Sequence, residues 1–372
     1  MPGPRPTAAG SRIWTLIGAL LALIPASPWA PLNAATPHDA PIEATNPKPQ
    51  PAPRRVRPAA PIAVPPPTRS QAVDPAKAQA DRLQRMRAVR SWGYQLVGAN
   101  LNELAQTPFD LLVLDATAGV GGERGFRPED VAKLKRKPDG SRRLVVSYLS
   151  VGEAEDYRPD YFTAEYMSED APDWLGKENP RWKGNRIVSF CHEGWQRTVL
   201  GDDQGRSIYN GTEPSPLYKL IELGFDGVYL DRVDVYSDVR SECPGGEKAM
   251  VDFVSRIASH ARMRDPGFLV IQQNAEELVR HRRLLDVIDA LAKEDLFYGA
   301  DHTEALNSHS DIRGSLEHLK VVKSAGLPVL VVDYVLSAAK KADARKRIVE
   351  QGFIPYIGPR DLGRMWLPGR DF

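Results

Sequence analysis

Only two cysteines, Cys191 and Cys243, occur in 372 residues. A disulfide-rich scaffold and a four-cysteine zinc site are thereby excluded. Neither sign of charge is in excess: 49 Lys and Arg stand against 48 Asp and Glu, for a net charge of +1. A nucleic-acid binder would need a strong basic excess, so nucleic acid is excluded as a partner. The N-terminal apolar run Ile13–Ile24 has twelve residues, too short for a bilayer span of about 20. No HxH or HExxH spacing occurs, so a zinc hydrolase has no ligand set, and neither metal nor other cofactor is expected. No GxSxG occurs, so an esterase triad lacks its nucleophile. Gly119–Gly125 (GVGGERG) misses the Gly-Lys-Ser/Thr ending and the GxGxxG spacing of phosphate loops, and reads as a flexible active-site loop.

What is there is ordinary globular composition, 42% hydrophobic and 26% charged. Its ends differ. Residues 1–12 carry Arg5 and Arg12 and no acid. The twelve apolar residues follow, then small residues with cleavage points after Ala30 or Ala34. This is the pattern of a secretory signal peptide over residues 1–34. The first cysteine is Cys191, so no lipidated cysteine follows it. Eighteen of the 32 prolines lie at or before Pro75. Residues 35–75 therefore read as a disordered, extended proline-rich linker, mildly basic through Arg54, Arg55, Arg57 and Arg69. A secreted or periplasmic protein with no membrane span after cleavage is expected, and a monomer.

Residues 76–372 form the folded part. Leu83, Met86 and Val89 at helical spacing predict a helix at its start. Short apolar runs predict strands at Tyr94–Val97, Leu111–Asp115, Leu144–Leu149, Arg186–Phe190, Gly227–Asp231, Phe268–Gln272, Val287–Ala292 and Val329–Asp333. Helices are predicted at Pro128–Arg136, Pro216–Leu223, Ala249–Arg262, Glu276–Leu284, Ile312–Ala325 and Ala338–Glu350. Gly224, Gly326 and Gly352 stand just past three of them, as C-cap glycines do. Alternating strands and helices over about 290 residues suit a single (β/α)8 TIM barrel. Phe353–Tyr356 adds a short extended piece, and a doubly wound open sheet is the alternative.

In a parallel barrel, chemistry sits at the C-terminal strand ends. Acids collect there: Asp115, Glu153, Asp231 with Asp234, Glu276 beside Asn274, Glu294, and Asp333 before Tyr334. A lone acid after a strand often caps the next helix, which suffices for Asp130 and stays open for Asp234 and Glu277. Six acids from six strands at one mouth are harder to explain so, because crowded carboxylates raise each other's pKa values. Asp231 is the strongest case, at the end of a buried run (Val228, Tyr229, Leu230), and Glu294 holds the same place on the seventh predicted strand. Paired carboxylates across a glycosidic bond supply an acid and a nucleophile or base without a metal.

A polysaccharide substrate also accounts for the aromatic stretch that holds Tyr157, Tyr161, Phe162, Tyr166, Trp174 and Trp182, with Trp195 beyond it. Such rings stack on sugar faces, though they equally suit a local core. His302 and His309 read as solvated loop residues within reach of substrate. Cys191 and Cys243, each after a strand, are positioned for one disulfide in an oxidising compartment. Asn210-Gly211-Thr212 is a chance sequon in a bacterial host.

Five pieces in order carry a family resemblance: Trp92-Gly93-Tyr94-Gln95-Leu96, YLSVGE at 148–153, LGFDGVYLDRVD at 223–234, QQNAEEL at 272–278, and the acid of KEDLFY at 293–298. Together they resemble glycoside hydrolase family 114, the endo-α-1,4-polygalactosaminidase-like barrels. The resemblance implies a barrel that cleaves α-1,4-linked galactosamine-containing polysaccharide. It implies Asp231 as nucleophile and Glu294 as acid/base, with Asn274, Glu276, Glu153, Asp115, Tyr148 and Asp333 lining the site. Many relatives have glycine where this chain has Ala275. An acidic mouth suits a cationic amino-sugar polymer. A non-catalytic glycan-binding barrel, and a glycosidase acting on another surface polysaccharide, are the alternatives.

Overall fold

The computed structural model describes residues 74–117, 125–156, 171–208, 213–301 and 304–372. The chain lays down β1 (Trp92–Gln95), β2 (Leu111–Leu114) and β3 (Leu144–Ser150). It then builds a separate antiparallel sheet from β4 (Glu153–Glu155), β5 (Leu175–Glu178) and β6 (Asn185–Val188), in the order β4-β6-β5. It returns to the main sheet as β7 (Gly227–Asp231), β8 (Leu269–Gln273), β9 (Ala290–Glu294), β10 (Val329–Asp333) and β11 (Ile354–Ile357). Nine helices accompany them among the described residues: α1 (Pro75–Arg87), α2 (Leu101–Ala105), α3 (Pro128–Leu134), α4 (Glu193–Leu200), α5 (Pro216–Glu222), α6 (Gly246–Arg264), α7 (Arg283–Val287), α8 (His309–Ser324) and α9 (Ala338–Glu350).

The main sheet runs β1-β2-β3-β7-β8-β9-β10-β11 with every neighbouring pair parallel. This order never reverses, which excludes the doubly wound sheet and gives the eight-stranded TIM barrel. β11 returns to β1 through Trp92, whose Nε1 donates to the Ile354 carbonyl at 3.0 Å and whose ring lies 5.6 Å from that of Tyr356.

Two strand expectations exchange roles. Arg186–Phe190, expected in the barrel, contributes instead to β6 of the small sheet. Its polar start (Asn185, Arg186) and partial burial do not suit a strand covered on both faces. The extended piece at Phe353–Tyr356 is the eighth barrel strand. Pro355 disguised it, because proline cannot donate to a ladder; β11 tolerates it with ladder pairing to β10 alone. Glu276–Leu284 is not one helix either. Asn274 and Ala275 stand at φ 55° and 50°, and a 3-10 turn at Glu276–Arg280 precedes α7.

The floor of the barrel repeats one device. Asp110, Asp226 and Asp289 each stand just before a strand and accept a backbone N–H from the neighbouring strand or from the residue just before it. The donors are Ser91 at 3.1 Å, Val145 at 3.0 Å and Val270 at 2.8 Å. Each is also ion-paired: Asp110 with Lys137 at 2.9 Å, Asp226 with Lys135 and Arg142 at 3.1 Å, Asp289 with Arg262 at 2.8 Å and Arg82 at 3.1 Å. Buried carboxylates are tolerable when so satisfied. In Phe225-Asp226-Gly227 the aspartate is therefore a staple, and Gly227 is needed because a Cβ would lie 2.5 Å from the Leu269 carbonyl.

Inside the barrel the rings of Trp92, Tyr94, Tyr229 and Tyr356 pack on one another; Tyr94 and Tyr229 are 5.2 Å apart between centroids. They mark which strand positions face the axis, since side chains alternate. A disulfide joins Cys191, after β6, to Cys243, before α6, with a Cα–Cα distance of 5.7 Å. The expected bond is present, although Cys191 leaves the small sheet and not a barrel strand. No described helix is long and apolar enough to cross a membrane.

Candidate active site

Counting by twos from the buried rings reaches the mouth. Asp231 lies two past Tyr229 on β7, and Tyr148 pairs across to Tyr229 from β3. Gln273 on β8 pairs with Ala292 on β9, so Glu294, two further on, shares the inward direction. Glu294 pairs with Val332, which carries Tyr334 inward as well. On β2, Val113 pairs with Tyr94, and Asp115 is two past it. Asp115, Tyr148, Asp231, Gln273, Glu294 and Tyr334 therefore ring the C-terminal end of the barrel.

Asp231 and Glu294 are half-buried and act on each other. Burial, then the Glu294 charge, push the Asp231 carboxyl up to about 7, against the pull of its hydrogen bond from Tyr148. Burial raises Glu294 too; Tyr334 and Asn274 pull it back and Asp295 adds to the rise. Burial thus lifts both carboxyls above the usual carboxylate range, and the Glu294 charge adds to the rise at Asp231.

Each has a built set of donors. The Tyr148 hydroxyl donates to Asp231 Oδ2 at 2.8 Å. Glu294 Oε2 accepts from Gln273 Nε2 and from Asn274 Nδ2, the latter at 3.2 Å, and Glu294 Oε1 accepts from the Tyr334 hydroxyl. The Asn274 Oδ1 in turn accepts from the Glu294 N–H at 3.1 Å. Tyr94 extends the chain by donating to Gln273 Oε1 at 3.2 Å. The residues after both carboxyls are left-handed, Arg232 at φ 58° and Asp295 at φ 51°. Such strain in non-glycine residues costs about 1–3 kcal/mol each and clusters at functional sites. Ala275 at φ 50° is left-handed as well, a conformation that suits glycine better than alanine.

The other expected site residues divide. Tyr148, Asn274 and Tyr334 touch the pair. Asp115 faces inward but also accepts from Thr117 N at 2.9 Å and Thr117 Oγ1 at 2.8 Å. Glu153 is buried in a structural network: Arg232 Nε at 2.7 Å, Asn179 Nδ2 at 2.7 Å and Asn185 Nδ2 at 2.8 Å. Asp234 pairs with Arg232 at 3.1 Å and opens the 3-10 turn Val233–Ser237. Glu276 is ion-paired with Lys293 at 3.2 Å and accepts from Ser315 on α8. Asp333 alternates away from the axis, and its Oδ1 accepts from Phe297 N at 3.3 Å. Glu153, Glu276 and Asp333 are thus each held by scaffold contacts.

The two tryptophans, Trp174 and Trp182, differ in exposure. Trp174 is buried with its ring 5.0 Å from Trp195, in the core of the small sheet, and offers no free face. Trp182 is 55% exposed and does. Tyr157, Tyr161, Phe162, Tyr166, His302, Asn210 and the glycine loop from Gly119 lie outside the described residues. His309 is not a loop residue but the first of α8. Asp130 accepts from Arg127 N at 3.0 Å and caps α3 as expected.

Sequence reasoning missed Gln273, Tyr94 and Tyr229 as site residues, although all three lie in the quoted motifs. It also missed Arg360, which lies 4.6 Å from the centroid of the Tyr334 ring and has no local signal. A chain of Methanocaldococcus jannaschii, itself uncharacterized, is 34% identical over 297 residues, covering 74% of this chain and 79% of its own. One of Deinococcus radiodurans, also uncharacterized, is 33% identical over 314 residues, covering 83% and 91%. Among solved structures, the glycoside hydrolase domain of PelA from Pseudomonas aeruginosa superposes with a TM-score of 0.56 at 20% identity, covering 74% of this chain and 97% of that domain, a likeness of fold. The sequence pattern of the Glycoside-hydrolase family GH114 matches residues 72–368, and the chain belongs to that family.

Proposed function

We propose that the chain is a secreted or periplasmic glycoside hydrolase that cleaves α-1,4-linked galactosamine-containing polysaccharide with Asp231 and Glu294. The observation that carries this reading is the pair itself. Two half-buried carboxyls at the ends of β7 and β9 face one mouth, both raised by burial, and the Glu294 charge raises Asp231 further. In the proposed sequence Glu294 gives its proton to the glycosidic oxygen as that bond breaks, and Asp231 attacks the anomeric carbon. Water then attacks the same carbon, Glu294 takes its proton, and the bond to Asp231 breaks. Tyr148 holds Asp231, while Tyr334, Gln273 and Asn274 hold Glu294.

The charge balance supports a cationic substrate. Among the described residues, Asp231 and Glu294 face inward, whereas Arg232 is paired with Glu153, Asp234 and Asp238, and Lys293 with Glu276. Free amines on an amino-sugar polymer would be drawn to such a mouth. Exposed Trp182 is a candidate stacking face. The predicted signal supports export, and the Cys191–Cys243 disulfide suits an oxidising compartment.

Reducing-end release from partially deacetylated α-1,4-galactosaminan, beside a panel of neutral polysaccharides, tests this. Release from the cationic polymer alone is expected. Release from neutral glycans alone would keep the hydrolase and reject the substrate. Binding without release from any polymer would point to a glycan-binding barrel.

A further inference from the structure

Glu294 is braced by a side chain from the far end of the fold. Asp295, immediately after it, is left-handed at φ 51°. Both terminal nitrogens of Arg360 reach the Asp295 carboxylate, one to Oδ2 at 3.0 Å and the other to Oδ1 at 2.7 Å. The second also donates to the Gly299 carbonyl at 3.1 Å. The Cζ of the same guanidinium lies over the Tyr334 ring, 4.6 Å from its centroid. Tyr334 donates its hydroxyl to Glu294 Oε1. The guanidinium thus holds the residue that follows Glu294 through its terminal nitrogens and lies over the ring that hydrogen-bonds Glu294.

We propose that Arg360 is a positioning residue for Glu294, acting through Asp295 and Tyr334. The inference rests on the reading of Glu294 as half of the catalytic pair. The chemistry requires a planar, permanently charged fork that pairs bidentately and stacks on a ring. Lysine offers a point charge and can do neither as a unit. The cation, by holding the Tyr334 hydroxyl in place, limits how far burial raises the Glu294 carboxyl. Its loss therefore moves Glu294 titration upward. The counterpart after Asp231 is Arg232 at φ 58°, held by Glu153, Asp234 and Asp238. The two carboxyls are thus each followed by a left-handed charged residue pinned by ion pairs.

The test is carbon-detected NMR titration of the glutamate carboxyls in the full chain, with Glu294→Gln identifying the Glu294 signal. Arg360→Gln, Arg360→Lys and Tyr334→Phe are compared with wild type, with kcat and KM on the galactosaminan alongside. Arg360→Gln should raise the Glu294 midpoint and lower kcat by about 10- to 100-fold with KM little changed, as expected for misplacing a reacting group. Arg360→Lys should recover little of this. The Arg360→Gln/Tyr334→Phe double variant should lose much less than the product of the single losses. An unchanged Glu294 midpoint in folded Arg360→Gln and Arg360→Lys, or multiplying losses, would overturn the proposal. If Arg360→Gln does not fold, Arg360→Lys carries the same readouts. Should Glu294→Gln turn over like wild type, it is the pair that fails; should Glu294→Gln be inactive while the Arg360 variants keep a wild-type midpoint, Arg360 alone is wrongly assigned.

Discussion

Tyr148 and Asp231 meet at 2.8 Å from adjacent strands of the barrel, the hydroxyl donating to Oδ2. Tyr148 pairs in register with Tyr229, two residues before Asp231, so its reach to the carboxyl follows from the strand pairing. The hydrogen bond favours the ionised carboxylate. Tyr148→Phe should therefore raise the Asp231 pKa further above about 7. A hydrogen bond to a charged group contributes about 1.5–3 kcal/mol, so kcat should fall by roughly tenfold or more, with the corresponding limb of the pH–rate profile moved upward. An unshifted profile would remove Tyr148 from the site.

Asp333 predicts a pH dependence of stability. Burial pushes its carboxyl up to about 7, and its Oδ2 is buried without a hydrogen-bond partner. A folded pKa above the unfolded value stabilises the fold at low pH, an advantage lost as pH rises from about 4 through about 7. Asp333→Asn cannot ionise. It should be more stable than wild type at pH 8, by on the order of 1–3 kcal/mol, and lose that advantage toward pH 4. Thermal melts of both proteins across this range measure it, and parallel curves would contradict it.

The disulfide closes a separation of 52 residues between the small sheet and the start of α6. Loop-closure entropy gives such a bridge about 4 kcal/mol. Reduction, or the Cys191→Ser/Cys243→Ser double variant, should lower the melting temperature by several degrees. Thiol titration of the denatured, unreduced protein should find no free thiol; two would show that the bond does not form.

Gly152, in the YLSVGE motif, lies against the segment that follows Asp231. A Cβ there would stand 2.4 Å from the Arg232 carbonyl and 2.6 Å from the Val235 Cβ. Neither is the free end of a flexible side chain. Gly152→Ala must displace Arg232, and with it the end of β7. A loss of about 100-fold in kcat is expected from a misplacement of that size. Wild-type kcat in the variant would separate the glycine from the geometry of Asp231.

Much of the barrel was legible because fully covered strands read as continuous apolar runs: Gly227–Asp231 and Val329–Asp333 have the bounds expected of them. Arg186–Phe190 and the Phe353–Tyr356 piece exchanged roles because local apolarity does not say which sheet a strand joins. Acids at strand ends were legible as a set, but their directions were not. Asp333 and Glu294 both end strands on the same rim, and only the register of Glu294 with Val332 turns one inward and the other outward. Lys293, next to Glu294 in the chain, pairs with Glu276, the contact that alternation allows. Arg360 acts on Asp295 across 65 residues, a separation no local pattern spans.

The central claim is that Asp231 and Glu294 together break a glycosidic bond. It is tested most directly by comparing reducing-end release from partially deacetylated α-1,4-galactosaminan by wild type, Asp231→Asn and Glu294→Gln, with binding of the polymer measured in parallel. Both variants should fold and bind the polymer, and both should release reducing ends at least about 100-fold more slowly than wild type, the scale of lost acid–base or nucleophilic catalysis. Turnover at the wild-type rate in either variant would contradict the account.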